Sequence, residues 1–145
     1  MKAFLDFVCD ALNGDWATHE QVFRSQADDV DKAISATYEI FGDEAFRKWN
    51  GSKYERRFNR AIYDVMTFYF AIAEIRDAAA RHHKALEEDF RVLCENPDFV
   101  KSIEVTTKSI SATVLRLNLW GHVLAKRIKK QFSLPTIIDN LIALP

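Results

Sequence analysis

The sequence predicts an all-α fold, a single-domain helical bundle of about five to seven helices covering residues 1–145. Three observations predict it. Only 4 Gly and 3 Pro punctuate the chain, too few for the turn-rich sequence of a sandwich or barrel. Apolar residues recur at steps of three and four over long stretches, which stacks them on one helix face instead of alternating them across a strand. A chain of 145 residues with 48% hydrophobic and 28% charged residues has the size and composition of one globular core, far from the charge-rich mixture of disordered segments.

The elements follow in order. Phe4, Leu5, Val8, Ala11 and Leu12 form the stripe of a first helix that Asn13-Gly14 is placed to stop. Thr18 with Gln21 resembles a capping box, and Phe23, Val30, Ile34, Tyr38 and Phe41 then mark the inner face of a second helix closed by Gly42. Asp43 can cap a short third helix carrying Phe46 and Trp49, ended by Asn50-Gly51. Ser52 with Glu55 reads as a second capping box. It opens a central helix through Tyr54, Phe58, Ala61, Ile62, Val65 and Tyr69, with Tyr63, Phe68 and Phe70 widening its apolar arc. A helix over 74–95 follows, with Ile75, Ala79, Leu86, Phe90 and Leu93 inward, and Asn96-Pro97 stops it because proline disfavours helix in the residue before it. Asp98 can restart the chain. Past Thr106-Thr107, the residues Ile110, Val114, Leu117, Leu124 and Ile128 define a long final helix, and Pro135 opens a last apolar piece from Ile137 to Leu144.

A formal net charge of −1 gives no whole-molecule field toward nucleic acid or anionic membrane, so any such contact needs a local patch. Cys9 and Cys94 fit no metal or redox spacing and read as two reduced core thiols. An acid at Asp6 argues against a signal peptide, and no run of apolar residues is long enough to span a bilayer. The reading is a cytoplasmic protein without membrane partners.

The search for chemistry starts from what catalysis needs, convergent polar groups. The chain has no glycine-rich phosphate loop, no GxSxG turn and no HExxH, so neither a cofactor nor a metal is expected. Pairs such as Glu87-Glu88 and Asp28-Asp29 are adjacent and diverge around a helix, whereas a metal site wants them converging; His19 and His122 read as packing or surface residues. One cluster resembles catalysis: Arg76 followed by His82 and His83, the Arg-then-His pattern of HEPN-type ribonucleases, in which His and Arg act on the RNA 2′-hydroxyl and the scissile phosphate. On a regular helix Arg76 and His83 share a face and His82 points elsewhere. Such a pair also arises by chance on a solvated face, so the enzyme is the alternative reading.

Basic residues form two local groups. Lys48, Lys53, Arg56, Arg57 and Arg60 surround the start of the central helix, where Arg56 and Arg60 share a face and can hold a nucleic-acid backbone. Lys126, Arg127, Lys129 and Lys130 near the chain end can instead complement the negative end of a helix dipole.

The segment Ile40-Phe41-Gly42-Asp43-Glu44-Ala45-Phe46-Arg47-Lys48, followed by Arg57-Phe58-Asn59-Arg60-Ala61-Ile62-Tyr63-Asp64, resembles the helical region of GmrSD-type modification-dependent restriction proteins. Weaker likeness extends to Ala3-Phe4-Leu5-Asp6, Asp98-Phe99, and Thr106-Thr107 with Arg116. In that family a ParB-like, sulfiredoxin-like domain with a DGQQR-type motif handles nucleotide, and a helical region follows it. No DGQQR-like or HNH-type segment occurs in this chain, so the family's catalytic residues have no counterparts here. The resemblance implies a non-catalytic accessory domain in restriction or phage defence, docking a nucleotide- or DNA-handling partner domain. The signature's charged positions, Arg47 and Arg60, suit an acidic partner, an internal carboxylate or a phosphate. With Lys53, Arg56 and Arg57 they are the candidate binding residues. Phe41, Phe46, Phe58 and Ile62 read as core, with Asn59 placed to hydrogen-bond the turn at Gly42. A homodimerisation module is the second alternative.

Overall fold

The computed structural model describes residues 2–105 and 108–144, with side chains from residue 6 onward, so the expectations on Phe4, Leu5, Thr106 and Thr107 lie outside the described side chains. The chain is predominantly helical, with six α-helices and two short β-hairpins among the described residues: α1 Lys2–Phe41, β1 Arg47–Trp49, β2 Tyr54–Phe58, α2 Arg60–Phe70, α3 Ala73–Ala80, α4 His83–Leu93, α5 Pro97–Glu104, α6 Ile110–Ile128, β3 Thr136–Ile138 and β4 Leu141–Ala143. No described helix is long and apolar enough to cross a membrane.

The two helices expected before Gly42 do occur within the Lys2–Phe41 stretch, but they meet at a kink at His19, beside the expected cap Thr18, and not at Asn13-Gly14. Gly14 has neither a positive φ nor a neighbour within 4 Å that would force the chain to turn there. A glycine costs a helix interior about 1 kcal/mol without ending it. The kink leaves His19 at φ −125° and ψ 17°, outside helical geometry. Gly42, at φ +55°, does end the helix in a 3₁₀ turn.

The expected short helix through Phe46 and Trp49, and the expected start of the central helix at Tyr54, are replaced by a hairpin. Phe46 turns to φ +62° as its ring is buried among Tyr38, Tyr63 and Phe58, which no helix permits. β1 and β2 then pair antiparallel, Arg47 opposite Phe58 and Trp49 opposite Tyr54, around a turn in which Asn50 Oδ1 accepts from the Ser52 and Lys53 backbone N–H groups. Ser52 therefore belongs to this turn and caps no helix. Asn59 caps α2 by accepting from Ile62 N at 3.1 Å, donates to Ile103 O at 3.4 Å, and gives its backbone N–H to Phe46 O, not to the turn at Gly42.

The expected helix over 74–95 is two, broken where His82 leaves helical geometry (φ −126°, ψ 21°). Asn96, not Asp98, caps α5, accepting from Asp98 N and Phe99 N with Pro97 in the first turn. α6 runs as the periodicity predicts, from its cap Ser109 to Lys129 at φ +54°. The last apolar piece is a hairpin whose turn residues Asp139 and Asn140 both have positive φ, as a type I′ turn requires.

Trp120 of α6 stands at the centre of the core, edge-on to Phe90 and Phe70, while Phe90 also meets Phe41 and Phe99. The cluster draws on every helix from the end of α1 to α6. Gly121 lets Tyr69 and Leu134 close against α6, since a Cβ there would collide with both. Tyr69 donates its hydroxyl to Leu117 O at 3.0 Å. Several residues expected inside are not: Phe58 is 57% exposed, Tyr38 52%, Leu12 41% and Val30 38%.

Candidate functional site

Two surfaces stand out from this body. The first is the edge formed by β2 and the start of α2. β2 presents Arg56, Arg57 and Phe58, all exposed, with Lys53 in the turn before them and Arg60 as the first residue of α2. The pairing is irregular here, since the register shifts between Arg47 and Trp49 so that the stretch Tyr54–Phe58 faces only Arg47–Trp49. The cations divide sharply by strand. On β1, Arg47 pairs with Glu44 at 3.1 Å, and Lys48 with Glu104 at 2.6 Å and Glu55 at 3.4 Å; the Glu104 hydrogen bond raises the Lys48 pKa despite partial burial. Lys53, Arg56, Arg57 and Arg60 make no ion pair among the described residues. Of the predicted binding residues the structure brings four to one open edge and commits Arg47 to a neighbour.

Sequence reasoning missed the exposure of Phe58 and the contacts made by Arg91. Arg91 stacks over Trp49 at 4.7 Å and Tyr54 at 5.6 Å, and accepts no partner role in any open site because Glu87 (2.5 Å) and Glu88 (3.1 Å) both hold it. These adjacent glutamates thus converge on one guanidinium instead of diverging. Tyr54, half-buried within this stack, has its hydroxyl pushed up to about 12, chiefly by loss of solvent. One signal for the hairpin was present, the turn dipeptide Asn50-Gly51 between Arg47-Lys48-Trp49 and Tyr54-Glu55-Arg56-Arg57-Phe58, but neither flank shows the apolar–polar alternation that would have marked it as a strand.

The second surface is the N-terminal part of α1. From residue 6 to residue 32 the helix packs on nothing else in the described chain to the point of burial, and Phe7 (70%), Val22 (51%), Leu12 (41%) and Trp16 (41%) are exposed. Val8, Leu12, Trp16, Phe23 and Val30 form a stripe that runs on into the buried Ala33, Thr37 and Ile40, so one apolar face serves the core at one end and meets solvent at the other. Trp16 and Phe23 remain in contact across the distortion at His19, ring centroids 5.9 Å apart. The segment is acidic, with seven carboxylates from Asp6 to Asp31 against Arg24 and Lys32, a net charge of −5.

No family model matches this chain, and no curated protein and no solved structure matches it.

The remaining candidates are accounted for by local structure. Arg76 donates to Phe70 O at 2.8 Å and Ala71 O at 3.3 Å, closing the C-terminal end of α2. Because the helix breaks at Arg81-His82, Arg76 lies on α3 while His82 precedes α4 and His83 begins it. The shared helix face expected of Arg76 and His83 does not exist. His82 and His83 are exposed, and His83 Nδ1 lies 3.4 Å from Ala80 O. In the second basic group Arg127 holds Asp89 through two bonds of 2.6 and 2.7 Å, and Lys130 holds Glu74. Cys94 is buried, which pushes its thiol up to about 11, but Cys9 is exposed and not a core thiol; no disulfide joins them. Among the described residues no three His, Cys, Asp or Glu side chains converge as a metal site would need. A groove of about 710 Å³ runs between α1 and α2 and is walled by Val30, Phe68, Ile72 and Leu144. Its carboxylates, Asp29 and Asp64, are joined by no nucleophile-and-base pair.

Proposed function

We propose that this chain is a non-catalytic docking module and that the projecting part of α1 is the element through which it binds. The observation that carries the reading is the α1 stripe: the face that holds the core together through Ala33, Thr37 and Ile40 is followed, across the kink at His19, by Val8, Leu12, Trp16 and Phe23, which no other element buries among the described residues. An exposed apolar stripe of that length marks a protein contact. Its occupant is a protein surface of complementary chemistry, an apolar strip flanked by lysine and arginine, because a net charge of −5 repels nucleic acid and anionic lipid. The resemblance to the helical region of GmrSD-type restriction proteins supplies the candidate, the nucleotide-handling ParB-like domain, and with it a cytoplasmic role in restriction or phage defence.

The test mixes the purified chain with a DGQQR-type ParB-like domain and measures association by calorimetry and by size exclusion with light scattering. Association that weakens at least tenfold when Leu12, Trp16 and Phe23 are replaced by serine supports the reading. Absence of association overturns it, and a dimer of the chain alone, lost in the same variant, replaces it with homodimerisation. The ribonuclease alternative gains no support from the geometry, since the Arg76 guanidinium is engaged by the α2 carbonyls.

A further inference from the structure

We propose that the edge formed by β2 and the start of α2 binds single-stranded nucleic acid, with Lys53, Arg56, Arg57 and Arg60 on phosphates and a base stacked on Phe58. The inference does not rest on the docking role of α1. Four cations lie within eight residues, 53–60, and none makes an ion pair among the described residues, although the cations of the neighbouring strand are all paired. Arg60 moreover occupies the first turn of α2, where the backbone N–H groups already present positive charge and where no carboxylate is found. Asp64, one turn on, feels the Arg60 charge but does not pair with it. The arrangement is electrostatically unfavourable within the chain, and an anion from outside would complement it.

Phe58 decides which anion. Its ring is fixed from behind by Phe46 at 5.9 Å and Tyr63 at 5.8 Å, yet it is 57% exposed, two residues from the exposed Arg56 and beside Arg57. A rigid aromatic face among cations is the platform on which an unpaired base stacks, whereas a duplex keeps its base faces covered and a free phosphate has none.

The experiment uses the whole chain and a fluorescein-labelled oligothymidine of about 15 nucleotides, followed by fluorescence anisotropy across salt concentrations. Four phosphate contacts give a log–log salt slope of about −2.8, so affinity falls about 50-fold between roughly 50 and 200 mM salt. Replacing Arg56 and Arg57 by glutamine, both exposed and unpaired, flattens the slope by about 1.4. Phe58→Leu keeps apolar contact with Phe46 and Tyr63 but removes the ring; it weakens binding by roughly 5- to 150-fold at unchanged slope, and Phe58→Tyr restores it. Circular dichroism checks that each variant is folded. The proposal is overturned by no binding at low salt, by equal affinity for a duplex of the same length, by Phe58→Leu binding as wild type does, or by binding to phosphatidylserine vesicles in place of the oligonucleotide.

Discussion

Truncating Arg76 to alanine separates a structural from a catalytic reading of the Arg76-to-His83 stretch. The guanidinium donates to Phe70 O at 2.8 Å and to Ala71 O at 3.3 Å, two carbonyls at the end of α2 that have lost their helical partners. A hydrogen bond from a charged donor nets about 1.5–3 kcal/mol. The second contact is long and adds little, a cation at a helix C-terminus adds about 0.3–1 kcal/mol, and partial exposure of Arg76 lowers the total through solvent screening. We expect a loss of about 2 kcal/mol. In a chain of this size that lowers Tm by about 4–8 °C, and it moves the urea midpoint down by about 1 M with an unchanged m-value. Urea unfolding followed at the helical circular dichroism band measures it. The controls are His82→Ala and His83→Ala: both side chains are exposed, and each change should fall within about 0.5 kcal/mol of wild type. An Arg76→Ala loss below about 0.5 kcal/mol, or an equal loss in His82→Ala, would refute the capping role.

Three further outcomes follow from the packing. Gly121→Ala should cost about 1–3 kcal/mol in urea unfolding, because the new methyl meets the Tyr69 ring and Leu134 and one of them must shift; a neutral effect would mean that α6 does not approach Tyr69 this closely. At pH 8 a thiol reagent should modify Cys9 at once and Cys94 only on unfolding. Since burial raises the folded Cys94 pKa to about 11 from an ordinary 9, any stability from its neutral thiol is complete below pH 9 and is lost as pH rises through 11; equal labelling of both thiols in the folded state would contradict this. Backbone amides of residues 6–32 should exchange with solvent far faster than those of α2, because helix without tertiary packing is only marginally stable; mass-spectrometric hydrogen exchange showing equal protection in the free chain would mean that the arm is already covered.

Helix identity was legible wherever a long 3.6-residue periodicity coincided with a true cap. α6 is the clearest case, with Leu117, Leu124 and their neighbours buried as the spacing requires, and Asn96-Pro97 marks a boundary because proline removes the alternatives. The basic group near residue 56 was also visible as a cluster. Boundaries made by permissive signals were not legible: Gly14 allows a helix to end without requiring it, and nothing in the local sequence makes His82 a break between Ala80 and His83. Aromatic content misled in the segment 46–58, where Tyr54 and Phe58 fit a helical stripe as well as a strand face, and only the burial of the Phe46 ring at positive φ selects the hairpin.

By itself, then, the sequence determined that this chain is mostly helical and which residues are apolar enough to fill a core. The tertiary structure decided which of those residues the core takes. Ala33 and Val30 belong to one stripe of one helix, yet the first is buried and the second 38% exposed, because α2 and its neighbours cover only the end of α1. Periodicity records which face of a helix is apolar, not how far along its length another element lies against it. The same reason governs the binding edge: the sequence puts cations on both strands, and only the tertiary placement that pairs those of β1 with Glu44, Glu104 and the β2 residue Glu55 leaves Arg56 and Arg57 without an ion pair among the described residues.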